Sequence, residues 1–517
     1  MNAAWRRLAL PPPAVTLVLA LSCLLCLAIA LSQPVDIDEH MYLAAARSVG
    51  EAQLYDDVAF FQPPYAAWTY AGWLAILPGD HVLLPARLLK ALLAAGLVLA
   101  LYRLLRRFGA PAPLAAALVL LIVHLTPVRL TVGLARNYDL AQLAILLAVL
   151  LLPLRPGDRE GRARLLAAGA LAGAAVGFKL TYAAPAAVVV AWPLIAPTTL
   201  EAGRREAVWT LAGALLGLLP LLLALLFADP AAVRFDLVDY HLLNARWHAQ
   251  AGLGQGLDLR GKLHDLRRLY RETDLACLLA LSLTALVLVR LRGRDWSRTV
   301  WRLALALLGA GALMVAVPRP VQTAYYVPSL LALTMLVAVA AVRLDEGPRR
   351  LLTAVAVLAA LVCVGHQGAD DLRRLGRLGQ AETWPAVRLH AAGRNLAELT
   401  ASHRDRAVAT THPLYVLESG RPLEPRFATG VFAWRLGELL DRERQERFRL
   451  VTPQTFGELM ATRPASAVIV VAVGPWDEPL GAWARAAGWR PAPLAGGVVA
   501  WLPQAAGATD PPPAHSR

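Results

Sequence analysis

Long apolar segments alternate with short polar stretches along most of this chain. A helix needs about 20 apolar residues to cross the hydrocarbon core of a bilayer. Segments of about that length lie near residues 14–32, 83–102, 111–126, 138–154, 163–178, 182–197, 207–228, 273–291, 301–317, 325–342 and 351–366. Several are short or interrupted by proline, so the range is about ten to twelve spans. The pattern predicts a polytopic α-helical membrane protein with about eleven transmembrane helices.

Arginines mark every second loop between these segments. They are Arg6 and Arg7, then Arg103, Arg106 and Arg107, then Arg155, Arg159, Arg162 and Arg164, then Arg204 and Arg205, then Arg290, Arg292, Arg294 and Arg298, and finally Arg343, Arg349 and Arg350. Basic loops are retained in the cytoplasm. We therefore expect a multi-pass protein with its N-terminus cytoplasmic and its C-terminal region external. The composition, rich in Ala, Arg and Leu, indicates a bacterial origin, so the expected location is the inner membrane with the C-terminal region periplasmic.

Composition agrees with this prediction. The chain is 57% hydrophobic and its mean hydropathy is +0.50, which excludes an ordinary soluble protein. The basic loops account for much of the net charge of +14, so the charge does not indicate a nucleic-acid partner. All four cysteines lie in apolar segments, and no disulfide is expected.

Two external segments are too long to be simple turns. Residues 33–82 contain apolar positions at helical spacing after Asp36 and a second apolar stretch after Pro63 and Pro64, which predicts two amphipathic helices at the membrane surface. Residues 229–272 contain a third such pattern followed by the glycine-rich stretch AGLGQGLDLRGK. We expect this second segment to form an interfacial helix and a mobile loop that could cover a surface site.

Beyond residue 367 the sequence becomes more charged. Short β-branched runs, RAVATT, SAVIVVAV and GVVAWL, alternate with helical patterns. This alternation predicts a small external α/β domain over residues 368–505, after a transmembrane domain over residues 1–367. The last residues, 506–517, have the composition of a disordered tail.

Three carboxylates follow the first apolar segment, in the stretch QPVDIDEHMYLAAARSV. Asp36 can cap the following helix, and Glu39, three residues later, can complete a capping box. This explanation gives Asp38 no role in helix capping. We therefore take Asp38 as the first candidate catalytic carboxylate and Glu39 as a second one.

Further polar residues lie at the outer ends of the predicted spans. They are Arg136, Asn137, Tyr138 and Asp139 at the fourth span, Lys179 between the fifth and sixth, and Arg319, Gln322, Tyr325 and Tyr326 before a late span. Basic side chains there commonly extend to headgroups, and tyrosines commonly belong to the interfacial belt. Lys179 and Arg319 depart from the cytoplasmic bias, because they occupy short external turns. We expect these residues to converge with Asp38 at the outer membrane surface.

Such a set of side chains suits transfer chemistry on a lipid phosphate. Cations can hold the phosphate by charge-assisted hydrogen bonds, and one carboxylate can take a proton from an incoming hydroxyl. A sugar carried on a polyprenyl phosphate already has a good leaving group, so a general acid is less necessary than in glycoside hydrolysis. One base and a phosphate clamp would suffice.

The order of these motifs resembles the integral membrane glycosyltransferases of the GT-C fold. The similar stretches are DIDEHMYLAAARSV, FFQPPYAAW, ARNYDLAQL, GFKLTYAAP and AYYVPSLLALTML. Within that fold, the resemblance is to the superfamily of dolichyl-phosphate-mannose protein mannosyltransferases and the lipid A aminoarabinose transferase. It covers about residues 15–345.

The resemblance implies a polyprenyl-phosphate-sugar donor and inversion at the anomeric carbon. Asp38 matches the catalytic carboxylate of the family and Asp139 a second acidic position, and Lys179 and Arg319 are candidates for the phosphate side. Arg136, Tyr325 and Tyr326 complete the predicted donor-phosphate set. The aminoarabinose transferases have a Glu-Lys pair where this chain has Phe61 and Gln62. That departure argues against the same substrate.

Two other functions stay open at this point. A transporter would also place polar residues in its spans, although here they gather at the outer ends. A non-catalytic relative could bind lipid-linked glycans or organise partners. The acceptor could be a glycan, a lipid or a protein, with membrane lipids as the surroundings. The acidic residues could hold a divalent metal, but their spacing is not diagnostic.

Overall fold

The structure is a computed structural model, and it describes residues 11–77, 79–154, 161–195, 200–253, 258–292, 298–471 and 476–504. The apolar helices are α1 (Pro13–Ser32), α4 (Leu83–Arg107), α5 (Ala112–His124), α7 (Tyr138–Leu151), α8 (Arg162–Phe178), α9 (Ala183–Ile195), α10 (Leu200–Phe227), α14 (Thr273–Arg292), α15 (Arg298–Ala316), α16 (Val327–Arg343) and α17 (Glu346–Gly376). Each predicted apolar segment coincides with one of them.

Not all of these helices are long enough to be spans by themselves. Within the described ranges, six helices are long and apolar enough to cross a membrane, and a seventh span results if α5 and the next helix, α6 (Thr126–Val132), are taken together. The segments Tyr138–Leu151, Leu180–Ile195 and Val300–Ala316 are shorter apolar helices. The mostly helical membrane fold is therefore confirmed, and the count of eleven spans stays a prediction.

Glycines allow helices α8 and α10 to pack closely. A Cβ atom added to Gly169 would lie 1.9 Å from the Thr210 carbonyl oxygen, and one added to Gly217 would lie 2.1 Å from the Ala170 carbonyl oxygen. A backbone atom cannot move aside as a side chain can. Small residues at these positions are therefore required for the two backbones to approach each other.

The two predicted surface helices are present as α2 (Ile37–Ser48) and α3 (Tyr65–Ile76). Asp36 caps α2 in a capping box: its side chain accepts the Asp38 amide at 2.8 Å, and its own amide donates to Glu39 Oε2 at 3.0 Å. The capping explanation for Asp36 and Glu39 is therefore confirmed. The box fixes the first turn of α2, which carries Asp38.

A sharp bend brings a second group of polar residues to the same end of the helices. Helices α5 and α6 meet at 74°, where the Thr126 amide donates to Asp274 Oδ2 at 2.5 Å. Helix α6 then leads into an irregular turn over residues 133–137, directly before α7. The Tyr70 hydroxyl donates to the Arg136 carbonyl at 2.9 Å and holds this turn against α3.

The external segment after α10 is largely helical. It contains α11 (Pro230–Arg234), a π-helical turn at Phe235–Asp239, α12 (Tyr240–Gln250) and α13 (Leu259–Leu269). Asp236, in the π-helical turn, is buried and accepts the Phe60 amide at 2.7 Å, so the two external segments are joined. The stretch predicted as a mobile loop is residues 251–262. Its residues 254–257 lie outside the described residues, and its end, from Leu259, belongs to α13.

The C-terminal region contains a sheet in the order β1-β2-β4-β3, formed by β1 (Val408–Thr410), β2 (Ala467–Val471), β3 (Arg490–Leu494) and β4 (Val498–Leu502). Strand β1 runs parallel to β2, and the other pairs are antiparallel. The three β-branched runs are strands β1, β2 and β4. Strand β3 was not predicted, because Pro491 and Pro493 weaken the strand pattern; prolines are tolerated at this sheet edge.

Short helices surround the sheet: α18 (Pro385–Leu399), α19 (Pro413–Leu417), α20 (Val431–Trp434), α21 (Arg442–Arg447), α22 (Phe456–Thr462) and α23 (Glu478–Ala486). Apolar side chains cover both faces of the sheet. The predicted boundary at residue 367 falls inside α17, which continues to Gly376. The predicted tail, 506–517, lies outside the described residues.

Candidate active site

A cavity of about 550 Å³ lies where α2, the turn before α7, the turn after α8 and helix α12 meet. Residues of the segment after α15, and residues in and directly after α20, also line this cavity. Its polar lining includes Asp36, Asp38, Gln62, Arg136, Lys179, His241, Asn244, Arg319, Tyr325 and Arg435. The structure thus brings together five of the predicted residues, which are Asp38, Arg136, Lys179, Arg319 and Tyr325.

Asp38 and Arg136 form an ion pair in the cavity wall. Arg136 Nε lies 3.0 Å from Asp38 Oδ2, and the same guanidinium also contacts Asp36. The Asp38 side chain keeps 26% of its surface exposed, so its carboxylate can be reached from the cavity. Its surroundings raise the pKa of Asp38 by desolvation, and the charge of Arg136 opposes that rise.

Lys179 also lines the cavity, directly after the end of α8. Its ammonium lies 4.1 Å from the ring centre of Tyr138 and 5.2 Å from that of Tyr325. In the described part of the chain no carboxylate lies within 4.0 Å of it. Burial lowers the pKa of Lys179 to about 7, although Asp38 favours the charged form. This cation is enclosed by aromatic faces and remains available for an anion.

Asp139 lies outside this cavity, although its neighbour Tyr138 lines it. Successive residues of an α-helix differ in direction by about 100°. At the start of α7 this rotation turns Asp139 into the bundle, where it pairs with Lys90 at 2.7 Å beside a separate cavity of about 40 Å³. Asp139 therefore does not line the cavity that contains Asp38.

Glu39 is also turned away from the cavity and is fully buried. Its carboxylate receives Arg87 Nη2 at 2.7 Å and Arg87 Nε at 3.1 Å, and it accepts the Ala135 amide at 2.8 Å. It also accepts the Asp36 amide of the capping box. All of these contacts join α2, α4 and the turn before α7, which is a structural task.

Tyr326 packs into the apolar core of the helix bundle and does not line the cavity. Tyr325 and Tyr326 belong to a 3-10 turn, Thr323–Tyr326, in which adjacent side chains diverge by about 120°. Arg319 lines the cavity from the segment between α15 and this turn. Of the two tyrosines, the structure therefore places Tyr325 beside Lys179 and Tyr326 elsewhere.

Arg435, from the C-terminal region, is a cavity residue that the sequence reasoning missed. Its guanidinium lies 4.8 Å from the Trp247 ring centre and 4.9 Å from that of Phe432, and its Nη2 donates to Asn244 Oδ1 at 2.5 Å. The stretch VFAWR has aromatic residues before the arginine, which is a weak signal. Nothing in the sequence joined it to residues nearly 200 positions earlier.

Phe61 and Gln62 occupy the positions at which the chain departs from the aminoarabinose transferases. Phe61 stacks on Tyr240 with ring centres 3.6 Å apart, and His241 contacts the Phe61 carbonyl at 3.1 Å. Gln62 Oε1 accepts from Asn137 Nδ2 at 3.1 Å. Burial lowers the pKa of His241 to about 4, so this imidazole is neutral near pH 7. The departure replaces two charges by an aromatic stack and a neutral hydrogen bond.

The cavity does not fit a divalent metal well. Its two carboxylates, Asp36 and Asp38, share the guanidinium of Arg136, and a cation next to them would be repelled. Among the described residues, the cluster with metal-ligand geometry is elsewhere, at His81, His390 and Glu418.

Comparison with known proteins supports the resemblance seen in the motifs. The family model for dolichyl-phosphate-mannose-protein mannosyltransferase matches residues 61–226. No curated protein sequence matches the chain. The resemblance to GT-C fold glycosyltransferases is confirmed by this match and by the solved structures that share the fold.

Three solved structures are similar over most of the chain. ArnT from Cupriavidus metallidurans bound to undecaprenyl phosphate is 16% identical, with 94% of this chain and 97% of that chain covered and a TM-score of 0.60. Its apo state is 15% identical, with the same coverage and a TM-score of 0.61. The Archaeoglobus fulgidus oligosaccharyltransferase tethered with an acceptor peptide is 12% identical, covering 89% of this chain and 69% of that chain, with a TM-score of 0.51.

Proposed function

We propose that this protein is an inverting glycosyltransferase that moves a sugar from a polyprenyl-phosphate donor to an acceptor hydroxyl at the periplasmic face of the bacterial inner membrane. The observation that carries the proposal is the cavity in which Asp38, the carboxylate without a role in helix capping, lies among several basic side chains. The ArnT structure with bound undecaprenyl phosphate has the same fold, which supports a lipid phosphate as the ligand.

Asp38 is proposed as the general base. The acceptor hydroxyl attacks the anomeric carbon, Asp38 takes the hydroxyl proton, and the bond from that carbon to the phosphate oxygen breaks with its electron pair leaving on the phosphate. One displacement inverts the configuration at the carbon. Desolvation raises the pKa of Asp38 and makes it a stronger base, while Arg136 keeps it ionised and oriented.

The basic side chains are proposed to hold the donor phosphate. A sugar phosphodiester carries one negative charge, and the leaving polyprenyl phosphate gains a second one as the bond breaks. Lys179, Arg319 and Arg435 therefore attract the leaving group more strongly in the transition state than in the ground state, which is the condition for catalysis. The rings of Tyr138 and Tyr325 hold the Lys179 ammonium in place.

The external segment with α12 is proposed to enclose the donor. Leu237, Tyr240 and His241 line the cavity from this segment, and Phe61 packs against Tyr240. Exclusion of water strengthens the attraction between the cations and the phosphate. It also protects the activated sugar from hydrolysis.

The experiment is complementation of a deletion strain with wild type or Asp38→Asn. Loss of the protein should leave one envelope glycan unmodified and lipid-linked donor accumulated, both measured by mass spectrometry. Asp38→Asn keeps shape but cannot accept the proton, so transfer should fall about 10²–10⁴-fold. Donor binding by the purified variant should persist.

Asp57→Asn is the matched control. Asp57 lies in the same external segment, is partly exposed, and pairs with Arg449 away from the cavity. This variant should restore the glycan. If Asp38→Asn at wild-type abundance restores it equally well, Asp38 is not the base. An unchanged glycan profile with altered solute uptake in the deletion strain would contradict the glycosyltransferase itself and support transport.

A further inference from the structure

Three metal-ligating side chains meet where the helix bundle contacts the C-terminal region. His81 precedes α4, His390 belongs to α18, and Glu418 follows α19. One ligand atom from each lies within 4.8 Å of the others. None of the three lines the candidate active site. The cluster therefore has no part in the proposed transfer reaction.

Glu418 divides its two carboxylate oxygens between two tasks. Its side chain is fully buried, and Oε1 accepts the amides of Val82 and Leu83 at 2.9 and 2.7 Å, which caps the start of α4. Oε2 faces the two imidazoles, 2.8 Å from His390 Nδ1 and 4.0 Å from His81 Nδ1. Helix capping thus accounts for one oxygen and leaves the other to the histidines.

The two imidazoles have an arrangement that hydrogen bonding alone does not explain. Their ring centres are 3.7 Å apart and the rings are tilted by 32°. His81 Nδ1 is shielded from solvent and has no hydrogen-bond partner among the described residues. A buried nitrogen without a partner has an energetic cost that a bound cation would remove.

We propose that His81, His390 and Glu418 form a zinc site. Two imidazole nitrogens and one carboxylate oxygen are ligands that Zn²⁺ takes in proteins. With zinc–ligand bonds of about 2.0–2.1 Å, ligand atoms of a tetrahedral site are about 3.3 Å apart. The distances from Glu418 Oε2, 2.8 and 4.0 Å, lie on either side of that value. A water molecule would complete the four ligands.

Zinc would join three segments that are distant in sequence. The ion would connect the loop before α4 to α18 and α19, and thereby hold the C-terminal region on the helix bundle. His390 Nδ1 lies at hydrogen-bond distance from the carboxylate, so the proton between them must leave when the metal binds.

The test uses the purified full-length protein in detergent, with no polyhistidine tag, after treatment with a chelator. Zinc chloride is added, bound zinc is measured by elemental mass spectrometry, and the thermal unfolding midpoint is recorded. The wild type should bind one zinc per chain and unfold at a higher temperature with zinc than without.

Variants locate the ion. His81→Ala keeps the Glu418 cap of α4 intact, so it should fold, unfold without zinc at the wild-type temperature, and lose both the bound zinc and the thermal shift. His390→Ala should lose the same two signals. His403→Ala, a histidine of the C-terminal region outside the cluster, should behave as wild type. The proposal is overturned if wild type binds no zinc, or if His81→Ala and His390→Ala bind it as wild type does.

Discussion

The enclosed ammonium of Lys179 makes donor binding depend on pH. Burial among aromatic rings lowers its pKa to about 7, whereas a lysine in water has a pKa of about 10.4. This difference in pKa means that protonating Lys179 in the empty cavity is less favourable than protonating a lysine in water by roughly 5 kcal/mol. Because the pKa is lowered, the side chain is a cation below about pH 7 and is neutral above it.

A phosphate ligand binds the charged form. If the neutral form contributes nothing, affinity follows the protonated fraction of Lys179 in the free protein, which falls about fifty-fold between pH 7 and pH 9. Two other titratable groups of the cavity, His241 and Tyr42, do not change charge in this window. Burial holds the pKa of His241 at about 4 and raises the pKa of Tyr42 above its usual value.

The assay is binding of undecaprenyl phosphate to the purified protein in detergent between pH 7 and pH 9. The second ionisation of a phosphate monoester, near pH 6, is then largely complete and changes little. Wild-type affinity should fall over this range. Lys179→Arg stays charged and should bind with little pH dependence, and Lys179→Met should bind weakly at every pH. Equal pH profiles for wild type and Lys179→Arg would refute a titrating Lys179 at the phosphate.

Two further predictions concern the scaffold of the site. Arg87→Met leaves the buried Glu39 carboxylate without its ion pair, so we expect a loss of about 3–5 kcal/mol in the free energy of unfolding. Adding Glu39→Gln should recover part of this loss. An unchanged thermal midpoint in the single variant would contradict the prediction. Gly217→Leu places a Cβ atom against the Ala170 carbonyl and should cost more than about 3 kcal/mol, as seen by size-exclusion profiles after heating. Gly309→Leu, where an added Cβ meets nothing within 4 Å, is its control, and equal profiles would argue against tight α8–α10 packing.

Local patterns in the sequence predict those structural features whose interactions form between residues close together in the chain. Apolar runs predicted where the helices lie, because burial in a bilayer leaves few alternatives to an apolar helix. The spacing of Asp36 and Glu39 predicted the capping box, because both hydrogen bonds form within one turn. The same reasoning singled out Asp38 as the carboxylate without a local task, and in the structure it faces the cavity.

Directions of side chains and distant contacts were not predictable in this way. Asp139 is adjacent to a cavity residue, but one step along the helix turns it to Lys90. Arg435 reaches the cavity only because the C-terminal region folds back on the bundle, and the contact with Asn244 spans 191 positions in sequence. A single sequence has no periodic pattern that reports such a contact.

The positions of Arg435 and Phe432 limit how this chain can be truncated or recombined without changing the cavity. Both residues line the cavity, and both lie after α17, the last of the apolar helices. A truncated chain that stops at Gly376 would therefore keep Asp38 and Lys179 but lose the part of the cavity lining that Phe432 and Arg435 form. Likewise, a chimera that exchanges the C-terminal regions of two relatives would exchange part of the cavity lining together with the rest of the C-terminal region.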